Sequence, residues 1–152
     1  MADQNYTVRA LRDGDLEGWL VLRSHLWDQV SENEHKTEMM DILGHPDTQF
    51  IAVAETDEGR LVGFLEASIR PFVEDCLTDH VGYLEGWFVE PDYRQQSIGR
   101  FLVRAAENWA RRKGCTEMAS DAEVGNDGSL HAHQKLGYEE TSRLVHLRKE
   151  LE

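Results

Sequence analysis

The residues best suited to chemistry lie where a predicted strand, residues 81–89 (VGYLEGWFV), leads through a polar loop into a predicted helix. The loop, residues 93–100 (YRQQSIGR), opens that helix, so unpaired backbone N–H groups and the positive end of the helix dipole point at one place. Such a place can bind an anion, for example a pyrophosphate. The loop contains neither the Walker A pattern nor the Rossmann GxGxxG pattern. An ordinary helix N-terminus is the alternative interpretation.

Four further side chains could carry acid–base chemistry or line a binding site. Glu85 lies in the strand before the loop, and Asp121 ends the next predicted strand. Either carboxylate could hold a cation or take a proton from an amine. Trp27 and His133 belong to predicted helical segments. Each residue also has a structural interpretation: a solvent-facing carboxylate, a loop cap, a core aromatic and a partly exposed helix residue.

The hydrophobic pattern predicts the elements that must position these residues. Alternating or apolar runs predict strands at 6–10, 49–55, 61–69, 81–89, 117–121 and 141–149. Capping residues and periodicity predict helices that start at Asp13 or Asp15, at about residue 34, near residue 98 and at Asn126 or Asp127. The third is the clearest, because Ile98, Phe101, Leu102, Ala105, Ala106 and Trp109 form one apolar stripe. The order β-α-α-β-β-β-α-β-α-β indicates an α/β fold with a mixed sheet.

Length and charge limit the possible functions. A chain of 152 residues is expected to form one domain, residues 1–152. The 29 acidic and 16 basic residues give a formal net charge of -13, which argues against nucleic acid as a partner. This charge would favour a cationic ligand, or it serves solubility alone. We expect an intracellular, cytoplasmic protein without a membrane segment, because neither a signal-peptide core nor a spanning apolar run occurs.

The sequence offers no convincing metal site. His131 and His133 lie two residues apart on a predicted helix, so their side chains point away from each other. Cys76 and His80 lack a second ligand pair nearby. Cys76 and Cys115 show no CxxC spacing, and two cysteines make a disulfide framework improbable. We therefore expect no metal.

With its neighbours, the strand–loop–helix stretch resembles the GNAT superfamily of acetyl-CoA-dependent N-acetyltransferases. That family opens a long helix with [Q/R]xxGx[G/A], and residues 94–99 (RQQSIG) match except that Ser97 replaces the first glycine. The resemblance implies acetyl-CoA as co-substrate and a mostly antiparallel central sheet, flanked by helices and splayed at the acetyl-CoA site. Serine keeps its N–H donor, so binding should survive if position 97 does not need a positive φ.

The resemblance also implies roles for particular residues. Backbone amides at the helix start would hold the pyrophosphate, and the N–H of Phe88 or Val89 would polarise the thioester carbonyl. The implied cofactor-binding residues are Phe88, Val89, Gln95, Gln96, Ser97, Ile98, Gly99, Arg100 and Asn126. His133, four residues before Gly137, occupies the place of a tyrosine that protonates the leaving thiolate in this family.

Longer runs narrow the resemblance to the small bacterial aminoglycoside 6′-N-acetyltransferases. These runs are SHLW at 24–27, LEASIR at 65–70, YLEGWFV at 83–89, KGCTEMASD at 113–121 and HQKLGYEET at 133–141. They imply direct transfer of acetyl from acetyl-CoA to the 6′-amine of an aminoglycoside, with antibiotic resistance as the result. The implied catalytic residues are Glu85, Asp121 and His133.

The same resemblance implies an antibiotic site and an assembly. The substrate-binding residues would be Trp27, Phe72, Glu85, Asp121, Glu139 and Glu140, with Glu74 and Asp75 at the rim. Glu139 or Glu140 would come from a neighbouring chain, so a homodimer is expected. Two alternatives stay open: a GNAT enzyme that acts on a polyamine or a protein N-terminus, and a non-catalytic acyl-CoA-binding module.

Overall fold

Five strands form one sheet in the computed structural model, which describes residues 5–152. The strands are β1 (Tyr6–Ala10), β2 (Gln49–Thr56), β3 (Leu61–Arg70), β4 (Val81–Val89) and β5 (Met118–Ser120). They lie in the order β1-β2-β3-β4-β5. The first three pairings are antiparallel and the pairing of β4 with β5 is parallel. The predicted mixed, mostly antiparallel sheet is confirmed.

The described residues form four α-helices, as the pattern predicts. They are α1 (Leu16–Leu26), α2 (Glu32–Leu43), α3 (Ile98–Arg112) and α4 (Asp127–Lys135). Ser31 caps α2 by accepting a hydrogen bond from the Glu34 N–H, and Glu34 returns one to the Ser31 N–H. The chain divides into two compact units, one ending at Ser120 and the other comprising Asp121–Glu152.

Both faces of the sheet are covered in the first unit. On one face, Trp19 and Leu22 of α1 and Met39 of α2 pack with Val53 and Phe64 of the sheet. On the other face, α3 buries Ile98, Leu102, Ala106 and Trp109 of the predicted stripe. The ring of Trp109 stacks on Phe50 with 5.3 Å between centroids. A strand covered on both faces needs a continuous apolar run, and residues 51–54 of β2 are all buried.

The prediction of a last strand at residues 141–149 is wrong. The structure assigns no strand to this segment. Its alternating pattern, TSRLVHLRK, indicates an extended chain, but a strand also needs a ladder partner. Within the second unit Val145 and Leu147 are exposed. Among the described residues, no helix is long and apolar enough to cross a membrane.

Candidate active site

A β-bulge interrupts β4 at Glu85. Glu66 of β3 pairs with Gly86, and the next residue, Ala67, pairs with Leu84. Glu85 is therefore the extra residue on β4, and bulges of this kind bend a strand and increase its twist. The parallel ladder with β5 covers only Gly82–Leu84 of β4. The bulge thus lies where β4 parts from its parallel neighbour.

Beyond the bulge, β4 keeps only its ladder with β3 in the sheet of the described first unit. We call the side of residues 85–89 that is turned away from β3 the outer edge of β4. N–H and C=O groups of one residue in an antiparallel ladder point to the same side, and successive residues alternate. The Glu90 N–H donates to the Val62 carbonyl at 2.8 Å, so Phe88 also faces β3.

Trp87 and Val89 therefore direct their backbone groups to the outer edge of β4. The Val89 carbonyl accordingly accepts a hydrogen bond from Nε of Arg94 at 2.9 Å. Of the two amides that the sequence left open, the register places the N–H of Val89 at this edge and the N–H of Phe88 toward β3. The Phe88 ring packs edge-on against the imidazole of His25.

The loop before α3 has the backbone shape of an anion site. Gln95 has a φ of 64° and Ser97 a φ of 68°, so two left-handed residues flank Gln96. Alternation of this kind turns consecutive N–H groups into a concavity that binds anions. Residues 95–97 are exposed, while Ile98 is buried and anchors the start of α3. Position 97 therefore adopts the positive φ that glycine accepts most easily.

Two contacts within the first unit fix this loop. The Tyr6 hydroxyl of β1 donates to the Gln96 carbonyl at 2.6 Å, and burial raises the pKa of Tyr6, which keeps the proton on the donor. Gly99 lies against the indole of Trp87, where a Cβ atom would come within 3.0 Å of Cζ2. A larger residue at 99 would push the helix start away from β4. The anion loop and the outer edge of β4 are thus held side by side.

The carboxylate of Glu85 is engaged by two residues of β3. Its Oε1 accepts from the Ser68 hydroxyl at 2.6 Å and from Nε of Arg70 at 2.9 Å, and its Oε2 accepts from Nη2 of Arg70 at 2.7 Å. The Arg70 guanidinium lies 3.6 Å from the centroid of the Tyr83 ring. A cationic ligand that binds Glu85 must share or replace Arg70. Sequence reasoning missed both Ser68 and Arg70, although both belong to the LEASIR run.

Trp27 follows α1 directly and covers the residue beside the bulge. A Cβ atom at Gly86 would lie 2.4 Å from Cη2 of Trp27, so only glycine allows this approach. The Trp27 ring also meets Phe64 edge-on, with 6.0 Å between centroids. Trp27 is half-buried. The structure thus brings Trp27 and Glu85, two of the predicted acceptor residues, to the same stretch of β4.

Phe72 lies in the loop between β3 and β4 and is exposed. Glu117 holds this loop: its carboxylate accepts from the Thr78 hydroxyl at 2.7 Å and from the N–H groups of Leu77 and Thr78 at 3.0 and 2.8 Å. These hydrogen bonds, that of the Thr78 hydroxyl above all, lower the pKa of Glu117. Glu117 is a third residue that sequence reasoning missed.

The remaining predicted residues belong to the second unit. Asp121 is its first residue and directly follows β5. Asn126 caps α4, and its side chain accepts from the Ser129 N–H at 3.1 Å. Nδ1 of His133 lies 2.7 Å from the Ser129 carbonyl, which can only accept, so Nδ1 carries the proton. Glu140 pairs with Arg143, while Glu139 is exposed. Among residues 5–152, no group of three or more His, Cys, Asp or Glu side chains could hold a metal ion.

Comparison with known proteins identifies the family. The acetyltransferase (GNAT) family model matches residues 7–138. The aminoglycoside N(6′)-acetyltransferase type 1 of Klebsiella aerogenes is 40% identical over 153 residues, 98% of this chain and 99% of the relative. A solved structure of the enzyme AAC(6′)-Iy, in complex with the bisubstrate analogue CoA-S-monomethyl-acetylneamine, superposes with a TM-score of 0.91. It is 37% identical, and the match covers 97% of this chain and 100% of that one.

A second solved structure agrees with the first. The aminoglycoside 6′-N-acetyltransferase AAC(6′)-Ih from Acinetobacter baumannii has a TM-score of 0.90 and 37% identity over 96% of this chain and 99% of its own. The resemblance expected from the RQQSIG loop and the LEGWFV strand is therefore confirmed. The chain belongs to the GNAT family of acetyltransferases.

Proposed function

We propose that this protein transfers the acetyl group of acetyl-CoA to the 6′-amine of aminoglycosides and thereby confers resistance to them. The observation that carries the proposal is the pairing of an anion loop at residues 95–100 with the outer edge of β4. The first suits a pyrophosphate, and the second offers the Val89 N–H to a thioester carbonyl. Full-length relatives named for this reaction support it.

Acetyl-CoA fits the residues present. The backbone amides of Gln95, Gln96, Ser97, Ile98, Gly99 and Arg100 hold its pyrophosphate. Gly99 lets this loop approach Trp87. The loop amides and the outer edge of β4 are therefore close enough to bind two parts of one elongated ligand. The thioester supplies an activated acetyl carbon. The amine nitrogen bonds to that carbon, the carbon–sulfur bond breaks, and the thiolate takes up a proton.

The acceptor side is formed by Trp27, Glu85 and Phe72. An aminoglycoside is a polycation, and each ammonium group needs a carboxylate or carbonyl partner once it leaves water. Glu85 meets this need at the bulge, and the net charge of -13 steers such a cation toward the protein. The reacting amine must lose its proton before attack, and Glu85 or Asp121 accepts it directly or through water.

Further roles rest on the resemblance alone. Asp121 binds the acceptor, Asn126 contributes to cofactor binding, and His133 returns a proton to the thiolate. The neutral His133 ring carries its proton on Nδ1, which faces the Ser129 carbonyl. To donate from Nε2, His133 must therefore be doubly protonated. We further propose that residues 1–152 act as one acetyltransferase domain, because the family model, residues 7–138, extends from the first unit into the second.

We propose a cytoplasmic homodimer in which Glu139 or Glu140 completes the neighbouring chain's site. Acetyl-CoA is a cytoplasmic metabolite, which supports the location. The second unit exposes four large apolar side chains within eight positions of the chain, Leu144, Val145, Leu147 and Leu151, and exposed apolar surface is typical of protein contacts. Sedimentation of the protein as a monomer at micromolar concentration would contradict the dimer.

The decisive experiment compares neomycin, which carries a 6′-amine, with paromomycin, in which a hydroxyl replaces that amine. We expect rapid acetyl-CoA turnover with neomycin and at least a hundredfold lower turnover with paromomycin, which should instead inhibit competitively. Mass spectrometry of the product locates the acetyl group. Acetylation of neomycin at another ring amine would contradict the 6′ assignment.

The same assay separates the rival functions. Turnover with spermidine or a peptide N-terminus, but not with neomycin, would show that the acceptor is a polyamine or a protein and not an aminoglycoside. Absence of turnover with every amine, despite CoA binding by calorimetry, would indicate a non-catalytic module.

A further inference from the structure

A buried charged cluster lies beneath Trp27 and has no part in the chemistry described above. Arg23 of α1 donates from Nη1 to both carboxylate oxygens of Glu66 on β3, at 2.6 and 2.7 Å. Their side chains are only 2% and 6% exposed. Trp19 donates its indole N–H to Glu66 at 2.8 Å, and Glu38 of α2 binds Arg23 from the surface.

A need for stability alone does not explain such a buried charged cluster. Removing two charges from water costs several kcal/mol per ion, and apolar residues of similar volume are often as stabilising as a buried ion pair. Burial raises the pKa of Glu66, and Arg23 opposes this effect. A buried guanidinium that donates hydrogen bonds from all three nitrogens, as Arg23 does, is however held in one position. It can fix the position of whatever it touches.

Arg23 touches Trp27 by two routes. Its guanidinium carbon lies 4.8 Å from the centroid of the Trp27 ring, a cation–π contact. Its Nε also donates to Nδ1 of His35 at 3.2 Å. Because arginine can only donate, Nδ1 of His35 must accept, and the proton of the neutral ring sits on Nε2. That N–H lies 3.1 Å from the Trp27 carbonyl and donates to it.

The cluster is also tied to the bulge. Glu66 is the residue of β3 that pairs with Gly86, and Gly86 is the residue that the Trp27 ring covers. Directly opposite residues share one face of the sheet, so Glu66 binds Arg23 on the face where Gly86 receives the Trp27 ring. The ring of Trp27 contacts Arg23 directly. Its carbonyl is bound by His35, which Arg23 also binds, and its ring packs on Gly86, whose strand partner Glu66 binds Arg23.

We propose that Arg23 is a positioning residue for the acceptor, which acts by holding Trp27 in place beside the β4 bulge. Glu66 and Glu38 hold Arg23, and His35 relays its position to the Trp27 backbone. This inference rests on the proposed function, in which Trp27 lines the aminoglycoside site. It assigns to α2, which carries His35 and Glu38, a part in acceptor affinity although neither residue is proposed to touch the acceptor.

The test uses matched surface variants of α2, so that folding is not at risk. Glu38→Gln weakens the hold on Arg23, whereas Glu32→Gln removes an equal charge from a residue that pairs with Lys36. Both variants change the net charge of the protein by the same amount. We expect Glu38→Gln to raise KM for neomycin about threefold above that of Glu32→Gln. KM for acetyl-CoA should stay within twofold of wild type in both.

A second pair examines the relay itself. His35→Leu removes the donor to the Trp27 carbonyl, while His35→Gln keeps an N–H at that position. We expect the Leu variant to raise KM for neomycin at least fivefold and the Gln variant to recover most of that loss. A purely structural role would lower the active fraction, and hence kcat, without separating the two KM values.

Trp27→Ala distinguishes failure of the inference from failure of the proposed site. If Trp27→Ala raises KM for neomycin at least tenfold, but Glu38→Gln equals Glu32→Gln, Arg23 does not position Trp27 and the inference is overturned. If Trp27→Ala leaves KM for neomycin unchanged, the assignment of Trp27 to the acceptor site is wrong.

Discussion

Ser97 has a backbone conformation that its side chain makes less favourable. The loop that opens α3 needs a left-handed residue at 97, and serine occupies that conformation with a φ of 68°. A left-handed conformation costs a residue with a Cβ atom about 1 kcal/mol. The sequence comparison identified the replacement of glycine but not its cost, because φ follows from the fold around the loop.

We expect Ser97→Gly to remove this strain. Binding of CoA, measured by calorimetry, should be unchanged or up to about fivefold tighter, equivalent to about 1 kcal/mol. Ser97→Ala is the control, since it keeps the Cβ atom and loses only the hydroxyl. A tenfold loss of affinity in both variants would show instead that the hydroxyl contacts a phosphate.

At the scale of elements, the hydrogen bond from Tyr6 to Gln96 ties β1 to the loop that opens α3, although the two residues lie 90 positions apart. The aromatic ring of Tyr6 packs near Phe101 of α3, with 6.4 Å between centroids. The Tyr6 ring therefore packs against α3, and the Tyr6 hydroxyl holds the loop that precedes this helix.

Tyr6→Phe should separate these two functions. The ring contact stays, but the Gln96 carbonyl loses its donor, and the loop loses about 1 kcal/mol of its preference for the binding shape. We expect Kd for CoA to rise about fivefold and KM for neomycin to change less than twofold. An unchanged Kd for CoA would mean that the loop is held by its own backbone.

The elements themselves were largely predictable. The strand at 81–89 and the start of the helix at 98 agree with β4 and α3, because apolar periodicity and helix signals are local. The strand at 141–149 failed, since pairing is not a local property. The Arg23–Glu66 contact joins residues 43 positions apart, and charged residues are expected outside the core. No local pattern could place them together.

At the scale of the whole molecule, a second ion-pair cluster bears on acid stability. Arg9 of β1 binds Asp15, before α1, at 2.6 Å and Glu55 of β2 at 2.9 Å. The hydrogen bond from Arg9 lowers the pKa of Asp15 below its ordinary value, and the Arg12 N–H adds to this effect. A carboxyl with a depressed pKa in the folded state stabilises the fold above its ordinary pKa of about 3.9.

Asp15→Asn should therefore destabilise the protein near neutral pH by roughly 2 kcal/mol. The contribution of Asp15 is lost as the pH falls from about 4 through the depressed pKa, so the difference in Tm between wild type and variant should shrink there. Thermal unfolding between pH 7 and pH 3 measures it. A Tm difference that is constant over this range would assign the effect to packing and not to charge.

The outer edge of β4 has a consequence for the life of the protein in a cell. A strand edge that carries no neighbouring strand is a template on which other chains can add, which makes it a starting point for aggregation. Acetyl-CoA bound along this edge, as proposed above, would cover it, and any ligand that binds only the folded state also stabilises that state. Acetyl-CoA then protects the folded enzyme from aggregation as well as serving as its substrate. The amount of intact enzyme should therefore rise and fall with the cell's acetyl-CoA supply.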